Sequence, residues 1–196
     1  RLRGKAMQEA VPIGKGAMAA LLGADMEKAA ALAAAAAQGE VCEVANDNDP
    51  SQVVISGHRG AIERAAELAK EHGIKRAVIL PVSAPFHCSL MGPAADAMAE
   101  ALEVTAPGAM TLPVYANVTA ARVSDPDEER ALLVEQVTGQ VRWRESVLQM
   151  NADGAQQFVE LGAKVLSPMV GRTVKEADSI SLVTMSDLEA FAKSIG

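Results

Sequence analysis

Apolar and polar residues alternate with two distinct periods in the first half of the chain. Ala17–Leu22 is a short continuous apolar run ended by Gly23, which predicts a buried strand. Asp25 is placed to cap an alanine-rich helix that runs to about Gln38, where Gly39 stops it. Val41–Ala45 alternates like a half-buried strand, and Asn46-Asp47-Asn48-Asp49-Pro50 carries turn chemistry. Gln52–Ser56 then reads as a strand returning in a hairpin. From Arg59 to His72, Ile62, Ala65, Ala66, Leu68 and Ala69 recur at helical spacing until Gly73. Arg76–Val82 completes the series as another strand. The order β-α-β-β-α-β over residues 16–82 is the ferredoxin-like split βαβ pattern. It predicts a four-stranded antiparallel sheet with two helices on one face.

The flanking sequence reads as α/β. Leu2, Ala6, Met7 and Ala10 make one helical stripe within residues 1–10, with no capping residue ahead of it. Helices are expected over about Leu90–Leu102, Asp127–Val137, Ser146–Ala152, Ser167–Ala177 and Asp187–Ser194. Short strands are expected at Val114–Asn117, Gln157–Leu161 and Ser181–Thr184. Strands alternating with helices imply a parallel sheet, yet too few strands are present to fill one. The expectation is a partial subdomain, residues 1–15 and 83–196, whose first strands belong to a preceding segment.

Composition narrows the function classes. A net charge of −7 argues against a nucleic-acid partner, since such affinity comes from Lys and Arg on phosphates. No apolar run approaches a membrane span. The two cysteines, Cys42 and Cys88, suit a reducing cytoplasm. His58, His72 and His87 are scattered and no CxxC occurs, so no metal site is expected.

The loop Pro81–Met91 follows a strand and precedes a helix, a common place for an active site in an α/β protein. His87, set by the turn at Pro85, could act there as a general base near neutral pH. A lone loop histidine more often caps or packs, and the residues by themselves leave both readings open. Cys88 next to it reads as a small buried residue, because adjacent side chains seldom converge on one point.

Several segments, in one order along almost the whole chain, resemble the malonyl-CoA:acyl carrier protein transacylase family of fatty-acid synthesis. They are Met7–Pro12, Gly16–Ala20, Asn46–Asn48 with Gln52–Gly57, Val82–Met91 with its Pro-Phe-His, Tyr115–Val118, Gln136 with Val141-Arg142-Trp143, and Glu160–Gly162. The resemblance implies a ferredoxin-like subdomain inserted in an α/β-hydrolase-like acyltransferase subdomain. It implies ping-pong transfer of malonyl from coenzyme A, through a serine in a Gly-His-Ser-x-Gly elbow, to the phosphopantetheine thiol of acyl carrier protein. No Gly-x-Ser-x-Gly occurs in these 196 residues, so the nucleophile is expected upstream and the chain alone is expected to be inactive.

The same resemblance assigns roles. His87 matches the base, and Arg3 the group that holds the free malonyl carboxylate. Gln136 matches the residue whose backbone carbonyl orients the histidine, so its side chain is expected to matter little. Phe86 resembles the residue that disfavours a branched acyl group, with ordinary packing an equal reading. Lys75 and Arg76 form the local basic cluster expected to dock the acidic carrier protein, against a reading as a solvated strand end. No bound cofactor or metal is implied; malonyl-CoA is the substrate. The segment Glu160–Leu166 is one residue shorter than the family pattern, so its turn is expected to differ. A polyketide synthase acyltransferase domain and a non-catalytic carrier-binding module are the rival readings.

Overall fold

The computed structural model describes residues 1–195. Helix α1 spans Leu2–Glu9 and is followed by strand β1, Gly16–Leu22. Helix α2 (Met26–Ala37), strands β2 (Cys42–Asp49) and β3 (Gln52–His58), helix α3 (Arg59–Leu68) and strand β4 (Arg76–Ile79) follow. The four strands form one antiparallel sheet in the order β2-β3-β1-β4, which is the arrangement the β-α-β-β-α-β pattern predicts.

Burial explains the continuous apolar run in β1. Ala17, Ala19 and Leu21 join Val53 and Ile55 on one face, packed against Leu32, Ala33 and Ala36 of α2 and Ala61, Ile62 and Ala65 of α3. Met18 and Ala20 join Ala45 and Val54 on the other face, beneath Leu80, Val82 and Phe86. A strand covered on both faces needs no polar alternation. The second face of the sheet thus supports the loop that carries His87.

Several boundaries differ from expectation. The asparagine–aspartate run is strand, not turn: β2 continues to Asp49, and the reversal is confined to Pro50 and Ser51. Two register shifts, at Val44/Asn46 and at Asp47/Asp49, re-aim this edge strand. Asp47 and Asp49 are both 1% exposed. β4 stops at Ile79 because Pro81 has no N–H to continue the ladder, although Leu80 still donates to Met18 O at 2.8 Å. α3 ends at Leu68, and tight turns continue it to Gly73.

The rest of the chain comprises α4 (Gly92–Val104), β5 (Val114–Ala116), β6 (Ala121–Val123), α5 (Pro126–Thr138), α6 (Trp143–Ala152), β7 (Gln157–Leu161), α7 (Leu166–Thr173), β8 (Asp178–Leu182) and α8 (Met185–Ile195). β6 was not expected. It pairs antiparallel with β5 across a turn in which Ala120 takes φ +54°, a left-handed conformation that alanine does not advertise. α7 is shorter than expected, which lets β8 begin at Asp178 and pair parallel with β7 along its length. Val147, Val170 and Val174 pack with Trp143, Met150 and Phe158 beneath this pair.

The β2 edge is where the two halves of the chain meet. Val141 donates to Ala45 O at 2.8 Å and accepts from Asp47 N at 2.9 Å, an added parallel bridge. Beside it, the Arg144 guanidinium donates to both oxygens of Asp47, at 2.9 and 3.0 Å through Nε and 2.8 Å through Nη2. Arg172 donates to Asp49 Oδ2 at 3.0 and 2.8 Å. Backbone bridge and ion pairs together cover an edge that would otherwise be open.

Candidate active site

The His87 loop is held at three points. Pro85 lies against Gly16, where a Cβ would overlap its ring. The Cys88 thiol is fully buried and donates to Pro85 O at 3.2 Å. Ser89 donates to the Glu43 carboxylate through N–H at 2.8 Å and Oγ at 2.6 Å. Between these anchors His87 adopts φ +57°. A non-glycine residue there carries strain that surrounding contacts must offset.

The contacts that offset it define the ring's chemistry. His87 Nδ1 lies 3.0 Å from Gln136 O and 3.2 Å from Gly139 O. Both partners are carbonyls and can only accept, so Nδ1 carries the proton and Nε2 keeps its lone pair. Burial pushes the imidazole pKa below the usual histidine value, and the positive charge of Arg3 pushes the same way, while the two carbonyls oppose them. The ring is therefore neutral at pH 7 and available as a base.

The remaining sequence-expected residues divide into two groups. Arg3 and Met7 are one helical turn apart on α1, and Met7 is buried against Ala84, Met91 and Val137. The Arg3 guanidinium is near enough to His87 for its charge to act on the imidazole. Arg3 is exposed and has no ion-pair partner among the described residues. Phe86 is half-buried and bridges the cluster under α1 and α4 with the second face of the sheet. The Gln136 carbonyl meets the His87 ring directly, and Phe86 precedes His87 on the same loop. Lys75 and Arg76 do not join them. Arg76 pairs with Leu22, whereas Pro85 sits at Gly16, so the basic pair lies at the far end of β1, about 20 Å away along six strand residues.

The Gln136 side chain is hydrogen-bonded within its own turn. Nε2 donates to Gly139 O at 3.0 Å and to Gln140 O at 3.3 Å. The side chain thus folds back over the same turn whose carbonyls hold His87.

The Cys88 thiol is fully buried and bonded to Pro85 O, and burial raises its pKa, as it pushes Cys42 up to about 11. Sequence reasoning missed Glu43 and Gly139. Glu43 sits among alternating strand residues and gives no signal of its own. Gly139 must lack a Cβ, which would fall 2.7 Å from Val118 Cγ2 and 2.9 Å from Glu135 O. Glu160 fills the turn before α7: its carboxylate accepts from Val165 N, Leu166 N, Ser167 N and Ser167 Oγ at 2.8–2.9 Å, capping α7.

Comparison with known proteins gives a consistent picture. The acyl transferase domain family model matches residues 1–188. The malonyl CoA-acyl carrier protein transacylase of Escherichia coli strain K12 is 43% identical over 195 residues, covering 99% of this chain and 62% of the relative. The enzyme of the same description from Bacillus subtilis strain 168 is 40% identical, covering 96% and 60%. Among solved structures, acyl-carrier-protein-S-malonyltransferase from Bartonella henselae superposes with a TM-score of 0.94 at 44% identity, covering 100% of this chain and 63% of that one. A malonyl-transacylase in complex with a type II polyketide synthase acyl-carrier protein superposes with a TM-score of 0.95 at 39% identity, covering 98% and 63%. The chain therefore spans a little over three-fifths of the length of the relatives it matches.

Proposed function

Because the chain belongs to the acyl transferase domain family, we propose that it supplies the general base and the acyl-carboxylate ligand of a malonyl-CoA:acyl carrier protein transacylase. The observation that carries this reading is the neutral His87, with Nδ1–H bound to two carbonyls and its proton affinity lowered by the nearby Arg3 charge. In this scheme Nε2 takes the proton of a serine hydroxyl as the serine oxygen attacks the malonyl thioester. The same proton then passes to the departing coenzyme A thiolate, leaving malonyl-serine. In the second half-reaction Nε2 takes the proton of the phosphopantetheine thiol and returns it to the serine oxygen. Arg3 holds the malonyl carboxylate throughout, a bidentate contact that acetyl cannot make. Phe86 limits the space beside the acyl α-carbon.

The same reading divides the chain into a ferredoxin-like unit, residues 16–82, set within a catalytic scaffold of residues 1–15 and 83–196. It places the reaction in the cytoplasm, needs no bound cofactor or metal, and assigns carrier-protein docking to Lys75 and Arg76. No described helix is long and apolar enough to cross a membrane. A polyketide carrier protein is the second reading, favoured by the relative that is bound to one. Comparing kcat/KM for fatty-acid and polyketide carriers separates the two.

Intact-mass spectrometry after incubation with malonyl-CoA tests the scheme. The 196 residues alone should gain no malonyl group, because they hold no Gly-x-Ser-x-Gly serine for His87 to activate. Joined to a Gly-His-Ser-x-Gly segment from a relative, they should gain one on that serine and pass it to carrier protein. An adduct on the unaccompanied chain, or none on the joined one when it folds, would overturn the reading.

A further inference from the structure

We infer that the Gln136 side chain, and not its backbone carbonyl alone, is a positioning group for the His87 base. The inference rests on the proposed role of His87. It begins with the five-residue turn Gln136–Gln140. The carbonyls of Gln136 and Gly139 converge on one His87 nitrogen, 3.0 and 3.2 Å away. Carbonyls at the end of a helix normally point outward along its axis, each to a separate partner. Two of them meet here because the turn is bent back on itself.

Three features hold that bend. Gly139 donates to Glu135 O at 2.8 Å, closing α5. Val141 is fixed on the β2 edge by its two backbone hydrogen bonds, at 2.8 and 2.9 Å. Between these fixed ends only the Gln136 amide reaches the Gly139 carbonyl from the turn itself, at 3.0 Å, and it takes the Gln140 carbonyl as well, at 3.3 Å. Both partners of the amide are acceptors, so its NH2 group faces the turn. Gly139 O thus accepts from His87 and from Gln136 together. Without the amide, the Gly139 peptide is free to rotate its carbonyl toward solvent. His87 would keep one acceptor of two, and its φ +57° backbone would lose part of what holds it.

The consequence is a specific chemical state. Two acceptors at Nδ1 favour the tautomer with a bare Nε2. Removing one should lower the ratio of Nδ1–H to Nε2–H tautomer by about fivefold, the worth of one ordinary hydrogen bond. It should also lower the His87 pKa, since each carbonyl favours the protonated ring.

Nitrogen-15 NMR of the imidazole in this chain reads both quantities without any transfer reaction. Gln136→Met keeps the side-chain length and removes the donor. The expected result is a mixed tautomer population and a lower His87 pKa, with backbone amide signals outside the turn unmoved. An unchanged tautomer ratio and pKa in a folded Gln136→Met chain would overturn the inference. Should that variant not fold, the wild-type chain still decides. One Gln136 side-chain amide proton should exchange slowly and show a coupling across its hydrogen bond to a backbone carbonyl. A freely exchanging amide would reject the role. These signals are independent of malonyl transfer, so a failed transfer assay with a shifted tautomer removes the functional reading and leaves this one standing.

Discussion

Arg3 helps set the proton affinity of His87. The guanidinium beside the ring disfavours imidazolium, as burial already does. Arg3→Gln should therefore raise the His87 pKa, a shift that an NMR pH titration of the ring would show directly. An unmoved pKa would mean that the charge does not reach the ring. The sign carries over to stability. A histidine whose pKa is lowered on folding contributes fully above the unfolded value of 6.5, and that contribution is lost as pH falls from there through the folded value. In a completed enzyme, Arg3→Ala should cut kcat/KM for malonyl-CoA by roughly 10- to 100-fold, the worth of a charge-assisted contact. Acetyl-CoA should be affected little. Equal losses for both thioesters would remove Arg3 from acyl recognition.

Among the elements, α7 depends on one carboxylate. Burial disfavours the Glu160 anion, but hydrogen bonds from the Leu166, Ser167 and Val165 amides and the Ser167 hydroxyl outweigh it and hold the pKa at about 2, against 4.5 ordinarily. Its contribution is present above pH 4.5 and lost as pH falls toward about 2. Glu160→Gln should lower the thermal midpoint at pH 7 and leave it less sensitive to pH across that window. A midpoint that still falls as steeply between pH 4.5 and 2 would show that other groups control acid stability.

The β2 edge supplies a second prediction at this scale, one of order. Asp47 is 1% exposed, and Arg144 is its only side-chain partner among the described residues. Asp49 also accepts from Ser51 N and Oγ, both at 2.9 Å. Arg144→Ala strands a buried carboxylate and should cost about 3–5 kcal/mol. Arg172→Ala leaves Asp49 partly satisfied and should cost less. Urea unfolding of the two variants measures the order, and a larger loss for Arg172→Ala would reverse this account.

For the molecule as a whole, the parallel β7–β8 pair is the telling feature. A two-stranded parallel sheet is rarely stable by itself, and Val159, Leu161 and Val183 are 37%, 70% and 53% exposed along it. Under the proposed function, strands of an upstream segment complete this sheet and bring the serine to His87. Docking belongs to this scale too. Lys75 and Arg76 lie about one strand length from the His87 loop, a gap that a thiol on a flexible phosphopantetheine arm could cross. Reversing both to Glu in a completed enzyme should raise the KM for carrier protein and spare that for malonyl-CoA. An unchanged carrier KM at low salt would send the search for the docking surface elsewhere.

The sequence by itself determined the four-stranded sheet and its helices, because Gly23, Asp25, Gly39 and Gly73 punctuate periodic runs that need no distant partner to be read. It also pointed to His87, through the Pro-Phe-His loop and a resemblance spread along the chain. It could not show that Asn46–Asp49 is strand, since local turn preference was overridden by Arg144, Arg172 and the Val141 backbone, some hundred residues away. The resemblance implied the Gln136 carbonyl beside His87, 49 residues distant, but not the second acceptor, Gly139 O, 52 residues distant, which helps fix the ring's tautomer. Periodicity records what a residue does with its neighbours in the chain. Ion pairs, tautomers and the fold of the Gln136 amide are set by groups that only the tertiary structure brings within hydrogen-bonding distance.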